Sequence, residues 1–239
     1  MLNTRNRLIN AAIIFSFLEL ALGIMVQTTS GMLNTTVSFA AIVLACAFAA
    51  LMFTRTRDYV LTQLALVCTV FADLFLVVMS NPQRELAMLF FSVTQICYFL
   101  RIYFNQSERI HRKIHLILRI CIIVVALTLT VIILKEKTDF LSLISLFYYA
   151  NLVMNVVFAF TQIKKNIIFP IGLFLFAMCD MFIGFGVLGE LYFILEKGTL
   201  LYWLANPGFN LAWVFYVPSQ ACLSLSLLKP KCLYLQKAC

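Results

Sequence analysis

Residues 64–80 read LALVCTVFADLFLVVMS, and residues 167–188 read IIFPIGLFLFAMCDMFIGFGVL. Each belongs to an apolar run of about twenty residues, the length a helix needs to cross a hydrocarbon core of roughly 30 Å. Near the middle of each run stands one carboxylate, Asp73 in the first and Asp180 in the second. An acidic side chain at mid-bilayer depth costs about 3 kcal/mol on insertion scales, so such residues turn toward a protein interior or a watery cavity and mark functional pathways. One apolar run further on, each aspartate has a glutamine, Gln95 after Asp73 and Gln220 after Asp180.

Outward from these two stretches the whole chain has the same character. Hydrophobic residues make up 63% of the 239 positions and charged residues 12%, and the mean hydropathy of +0.99 excludes a soluble globular domain. Eight apolar runs are expected to span, at about 8–27, 33–53, 60–79, 86–104, 115–134, 140–161, 168–188 and 211–229. The fold class is therefore all-α, a polytopic membrane protein of eight transmembrane helices forming one integral membrane domain over 1–239. Arg5 and Arg7 resemble the basic region of a leader. The first run is nevertheless expected to be retained, because it is long, carries Glu19 and lacks a small-x-small cleavage site.

The formal charge of +8 is a topology signal and does not point to nucleic acid. With the N-terminus inside, fourteen of the eighteen Lys and Arg residues fall on one side, leaving Arg84, Lys135, Lys137 and Lys197 opposite. The positive-inside rule then places both termini in the cytoplasm, with the plasma membrane expected in a bacterium and the endoplasmic reticulum in a eukaryote. The basic side also suits anionic headgroups, so membrane lipids are the expected partners. Six of the eight cysteines fall inside runs, where they act as small apolar residues. Cys232 and Cys239 lie in the tail, and no pair has redox or metal spacing.

Connections are short except for a basic link at 105–114 and an outer segment at 189–210. In the outer segment, Tyr192, Tyr202 and Trp203 suit the membrane interface, and Asn206-Pro207-Gly208 signals a turn, as in a lid or a shallow interfacial helix. FADLFLV in span 3 parallels MCDMFIG in span 7, and FFSVTQICYFL in span 4 parallels FYVPSQACLSL in span 8. The chain thus reads as two pseudo-repeated four-helix halves, about 1–110 and 111–239, entering the membrane in the same sense.

A rise of about 1.5 Å per residue puts Glu19, Asp73 and Asp180 roughly 16–20 Å from the inner hydrocarbon edge. Gln95, Gln220, Tyr148 and Asn151 fall near that level. Helical spacing groups Thr62, Thr69, Asp73 and Ser80; Tyr148, Asn151, Asn155 and Gln162; Tyr216, Gln220 and Ser224; and Ser16, Glu19 and Gly23. Polar stripes must face protein or water, so they are expected to converge on an interior cavity. Two carboxyls close together in a low-dielectric pocket cannot easily both ionise. One then serves as general acid and the other as general base.

The candidate catalytic residues are Asp73 and Asp180, and the candidate substrate-binding residues are Glu19, Gln95, Tyr98, Tyr148, Asn151, Tyr216 and Gln220. No metal ligand set and no cofactor are expected. Gly184, Gly186 and Gly189 match GxGxxG but follow no strand, and are read as permitting close helix packing. His111 and His115 have the spacing of a zinc helix, but Arg112 replaces the required Glu, so lipid-surface contact is expected. Arg101 and Arg119 are expected to snorkel to the cytoplasmic edge. No serine or cysteine stands beside a histidine for covalent catalysis. The same cavity would also suit a small-molecule or lipid transporter or binding protein, with Pro170 and Pro218 flanking it.

ADLFL followed by AMLFFSVTQICY, then CDMFIGF and WVFYVPSQACLSLSL, resembles the YhhN family of eight-span membrane proteins. The family pattern of Gly-Asp, His or Gln, Ser-Asp and Tyr-x-x-x-Gln corresponds to Ala72-Asp73, Gln95, Cys179-Asp180, and Tyr216 with Gln220. Ala72 and Cys179 depart from it, and Gln95 removes a possible proton carrier. The resemblance implies a lysoplasmalogenase-like hydrolase that cleaves the vinyl ether of a lysophospholipid or related lipid to release a fatty aldehyde.

Overall fold

The computed structural model describes residues 2–52, 56–191, 196–205 and 210–228. Among the described residues the chain is all-helical. The order is α1 (Leu2–Thr28), α2 (Gly31–Leu51), α3 (Arg57–Asp73) continued by a π-helical turn (Leu74–Val78), α4 (Arg84–Asn105), α5 (Arg109–Leu134), α6 (Phe140–Phe160), α7 (Ile168–Leu191), α8 (Leu200–Ala205) and α9 (Leu211–Leu225). Helices α1 to α7 are long and apolar enough to cross a membrane. The eighth expected span is represented by α9, a shorter apolar helix of 15 residues containing Pro218. The tail cysteines Cys232 and Cys239, Tyr192 and the Asn206-Pro207-Gly208 turn lie outside the described residues. Tyr202 and Trp203 of the outer segment fall on α8, which packs against α7.

Local chemistry sets the helix ends. Thr56 accepts a hydrogen bond from the Tyr59 amide at the start of α3. Asp139 and Ser142 form a reciprocal capping box on α6, and Asn166 Oδ1 accepts from the amides of Ile168 and Phe169 to begin α7. Between α1 and α2 the chain reverses at Gly31, whose φ of +60° suits a residue without Cβ.

Seven helices form a ring in the neighbour order α1, α2, α3, α4, α6, α7, α9 and back to α1. Helix α5 stands outside the ring against α6, with Ile117, Val124 and Ile133 exposed. Polarity is inverted relative to a soluble protein. Large apolar side chains cover the outer faces, whereas Thr62, Asp73, Gln95, Arg101, Arg119, Asn155 and Gln220 are buried. This is the pattern of a protein solvated by lipid.

Two expectations about faces are corrected. On α3, Thr62, Thr69 and Asp73 are buried, but Ser80 is exposed, because the helical segment ends at Val78 and the extended backbone of Met79 carries Ser80 off the helix. On α1 the buried face is Phe15, Glu19 and Val26, while Ser16 points outward and donates to the Ala12 carbonyl.

Gly184 does not mediate helix packing either, since a Cβ placed there would meet nothing within 4 Å. Close approach of α7 to α9 occurs instead at Gly172, whose added Cβ would lie 3.0 Å from Leu223 Cγ and 3.1 Å from the Leu223 backbone nitrogen. Gly172→Val is therefore expected to destabilise the protein by roughly 1–3 kcal/mol through overpacking. Gly184→Ala should be neutral or slightly stabilising. Thermal unfolding of both variants in detergent, followed by size-exclusion chromatography, checks the contrast.

Candidate functional site

Asp73 is the last residue of the regular part of α3, and Met79 then donates to the Leu74 carbonyl across the π-helical turn at 3.2 Å. Single π turns inside helices re-aim the side chains beside them. The Asp73 carboxyl, 2% exposed, accepts a hydrogen bond from Tyr216 Oη at 2.6 Å. On the other side of the ring, Asp180 accepts from Tyr148 Oη.

The two pairs belong to one cluster. Rings run from Tyr148 to Phe91 (5.5 Å between centroids), to Phe176 (6.0 Å) and to Tyr216 (5.5 Å). Asp73 is sealed, but Asp180 is partly accessible. One turn beyond Asp180 is Gly184, on the same side of α7 as buried Leu173 and beside open space. Asp73 is thus buried, and Asp180 is the more accessible of the two.

A second polar network lies beside the first, and the sequence reading misplaced its centre. Arg119 does not snorkel to the membrane edge, and His115 is not at a lipid surface; they are 4% and 1% exposed. Helix α5 turns this i, i+4 pair toward α6, where amide oxygens replace water. Arg119 Nη1 donates to Asn151 Oδ1 at 2.7 Å, and Nη2 donates to Asn155 Oδ1 at 2.6 Å and to His115 Nε2 at 3.1 Å. The guanidinium stands over Phe99 at 4.3 Å, and His115 stacks on Phe158. Only His111 keeps an exposed position, paired with Glu108 at 3.1 Å. Arg101 is also buried, bonded to Thr62 and Ser226.

Arg119 dictates the polarity of the amides around it. A guanidinium only donates, so Asn155 must present its oxygen to it. Its Nδ2 is then left to donate to the Gln95 backbone carbonyl at 2.9 Å and to Gln95 Oε1 at 3.0 Å. Gln95 is therefore held with its oxygen toward Asn155 and its Nε2 turned away, buried and without a protein partner among the described residues.

Of the expected site residues, the structure brings Asp73, Asp180, Tyr148 and Tyr216 into one cluster, and it links Asn151 and Gln95 through Arg119 and Asn155. Glu19 sits apart, on the face of α1 that meets α2 and α9, between Phe15, which stacks on Phe48, and Gly23, which faces Val217. Gln220 donates to Ser219 Oγ at 3.3 Å. Both oxygens of Glu19, Gln95 Nε2, Tyr98 Oη and Gln220 Oε1 are buried without a protein partner among the described residues. Buried polar atoms of this kind are normally met by water or ligand. The amide pair Asn151 and Asn155, spaced like His115 and Arg119, was the sequence signal for the second network.

Apolar helices long enough to cross a membrane, packed around polar side chains that include Asp73, Tyr148, Asn151 and Tyr216, define a helical membrane protein. Residues 33–227 match the YhhN family, and the chain belongs to that family. No curated protein and no solved structure matches it.

Replacing Arg119 by Met should cost roughly 2–4 kcal/mol, because two buried amide oxygens and His115 lose a charged donor. Arg119→Lys should recover only part of this, since an ammonium lacks the planar fork. Thermal unfolding in detergent measures both.

Proposed function

We propose that this protein is a membrane-embedded hydrolase acting on the vinyl ether of a lysophospholipid, a lysoplasmalogenase-like activity, with Asp73 and Asp180 as the acid–base pair. The observation that carries this reading is the placement of two aspartates within the apolar helices α3 and α7, each held by a tyrosine hydroxyl, with the two tyrosines joined through Phe91 and Phe176. Family membership supports it independently.

In the reaction, one protonated aspartate delivers its proton to the vinyl carbon remote from the ether oxygen. The adjacent carbon becomes an oxocarbenium ion, whose positive charge is stabilised by the other carboxylate. Water, losing its proton to that carboxylate, attacks the oxocarbenium carbon to give a hemiacetal. The hemiacetal then collapses to a fatty aldehyde and the glycerol hydroxyl of the headgroup product, and proton exchange restores the first aspartate. Tyr148 and Tyr216 orient the two carboxyls. Glu19, Gln95, Tyr98, Asn151 and Gln220 supply or position neutral hydrogen bonds to substrate and water.

On this reading α9 is the eighth span, both termini face the cytoplasm, and the lipid substrate reaches the aspartates within the membrane. The neighbour pattern supports two related halves: α3 pairs with α4 as α7 pairs with α9, and α2 meets α9 as α6 meets α4. The basic residues Arg101, Arg109, Arg112, Lys113 and Lys165 at one end of the bundle support the orientation.

Asp73→Asn and Asp180→Asn should each lower aldehyde release by roughly 10²–10⁴-fold, the range of a lost general acid or base, while the protein stays folded in the membrane. Tyr216→Phe should cost about tenfold, equivalent to one hydrogen bond of roughly 1.4 kcal/mol. Purified protein with lysoplasmalogen, followed over time by lipid analysis, checks these values. Full activity in both aspartate variants would sink the mechanism, and uptake without cleavage would identify a carrier.

A further inference from the structure

At the basic end of the bundle, where α3 and α7 begin and α4, α6 and α9 end, there is a cavity of about 330 Å³. Its polar lining includes Asp58, Arg101, Asn105, Gln162, Lys165 and Asn166. It is separate from the aspartate cluster. Arg101 bonds Thr62, and Thr62 lies eleven residues before Asp73 on the same α-helix, a separation of about 16 Å along the axis. A phosphate at Arg101 therefore stands too far away to belong to a lysolipid whose ether bond is at Asp73.

Arg101 is 4% exposed, and no carboxylate among the described residues lies within ion-pair distance of it, Asp58 acting on it only at longer range. Its guanidinium lies over the Phe169 ring at 3.9 Å, which fixes its plane. Nη1 is used by Thr62 Oγ1 and Ser226 Oγ, both at 2.8 Å, and Nη2 reaches the Ser226 carbonyl only at 3.4 Å. Nε has no partner among the described residues, so the Nε–Nη2 edge, which grips oxyanions two bonds at a time, is left over. Lys165, held against the Asn105 carbonyl at 2.5 Å, adds a second cation. Asp58 places one carboxylate in the same lining, with Oδ1 accepting from Asn105 at 2.9 Å and Oδ2 without a partner among the described residues.

We propose that this cavity is a docking site for a zwitterionic phosphodiester headgroup, with the phosphate on Arg101 and Lys165 and the ammonium on Asp58. The headgroup has two possible sources, an intact lysophospholipid at the membrane face or a water-soluble glycerophosphodiester. Full-length Asp180→Asn protein in detergent is titrated by calorimetry with glycerophosphoethanolamine, with micellar lysophosphatidylethanolamine and with inorganic phosphate. Binding of the diester assigns the soluble source, and binding of the lysolipid alone assigns the lipid. Either must weaken at least tenfold in Arg101→Gln and in Lys165→Gln. Asp58→Asn should weaken the amine-bearing ligands but not inorganic phosphate. Should Arg101→Gln fail to fold, Lys165→Gln and Asp58→Asn decide. No binding by any ligand, binding unchanged in the variants, or inorganic phosphate binding as tightly as the headgroup would overturn the assignment. The readout needs no turnover, so failure of the hydrolase reading leaves it intact.

Discussion

In hydrocarbon a polar atom that enters the protein interior must find its partner there, and this requirement organises the molecule. Helix backbones satisfy themselves. Side chains cannot, and here they divide into groups that have found protein partners and groups that have not. Asp73 with Tyr216, Asp180 with Tyr148, and Arg119 with Asn151, Asn155 and His115 are matched. Glu19, Tyr98 Oη, Gln95 Nε2 and Gln220 Oε1 are left over. The matched groups fix the geometry, and each unmatched atom is one whose bonding water or a ligand can complete.

Helix pairing obeys the same requirement. α7 and α9 come close at Gly172, where a side chain would press against Leu223, and this brings Tyr216 over to Asp73 while α6 supplies Tyr148 to Asp180. Asp73 and Asp180 stand in similar sequence contexts, FADLFLV and MCDMFIG, but their tyrosines come from different places. Phe91 on α4 stands four residues before Gln95 as Tyr216 on α9 stands four before Gln220, and a phenylalanine has no hydroxyl to offer. It packs instead on Tyr148 and Phe176, joining the two pairs through their rings. Similar sequence contexts have become an asymmetric arrangement, with Asp73 buried and Asp180 partly accessible.

Arginine is the one basic side chain that can be held inside such a bundle with its charge intact, because its fork spreads that charge over several acceptors. Arg119 uses the fork to set the orientation of Asn155 and, through it, of Gln95. Arg101 uses only part of its fork for the fold and leaves one edge over. The same residue type thus positions a neighbour in one place and frames a separate cavity in another.

The helical membrane class and the buried stripes of α6 and α9 were legible in the sequence, because length and periodicity are local properties that lipid enforces directly. Ser80 and Ser16 broke the pattern for reasons the sequence does not display: the helix ends at Val78, before Ser80, and the neighbours of α1 select a different face. Which hydroxyl meets which carboxyl, and that Arg119 and His115 turn inward, are decided only by which helices become neighbours. That choice depends on contacts between residues far apart in the chain, such as Asp73 with Tyr216 and Gln95 with Asn155. The amino-acid sequence by itself determined an apolar, helical chain with polar stripes turned inward on α6 and α9; the tertiary structure decided their partners, because packing in lipid is settled between helices and not along them.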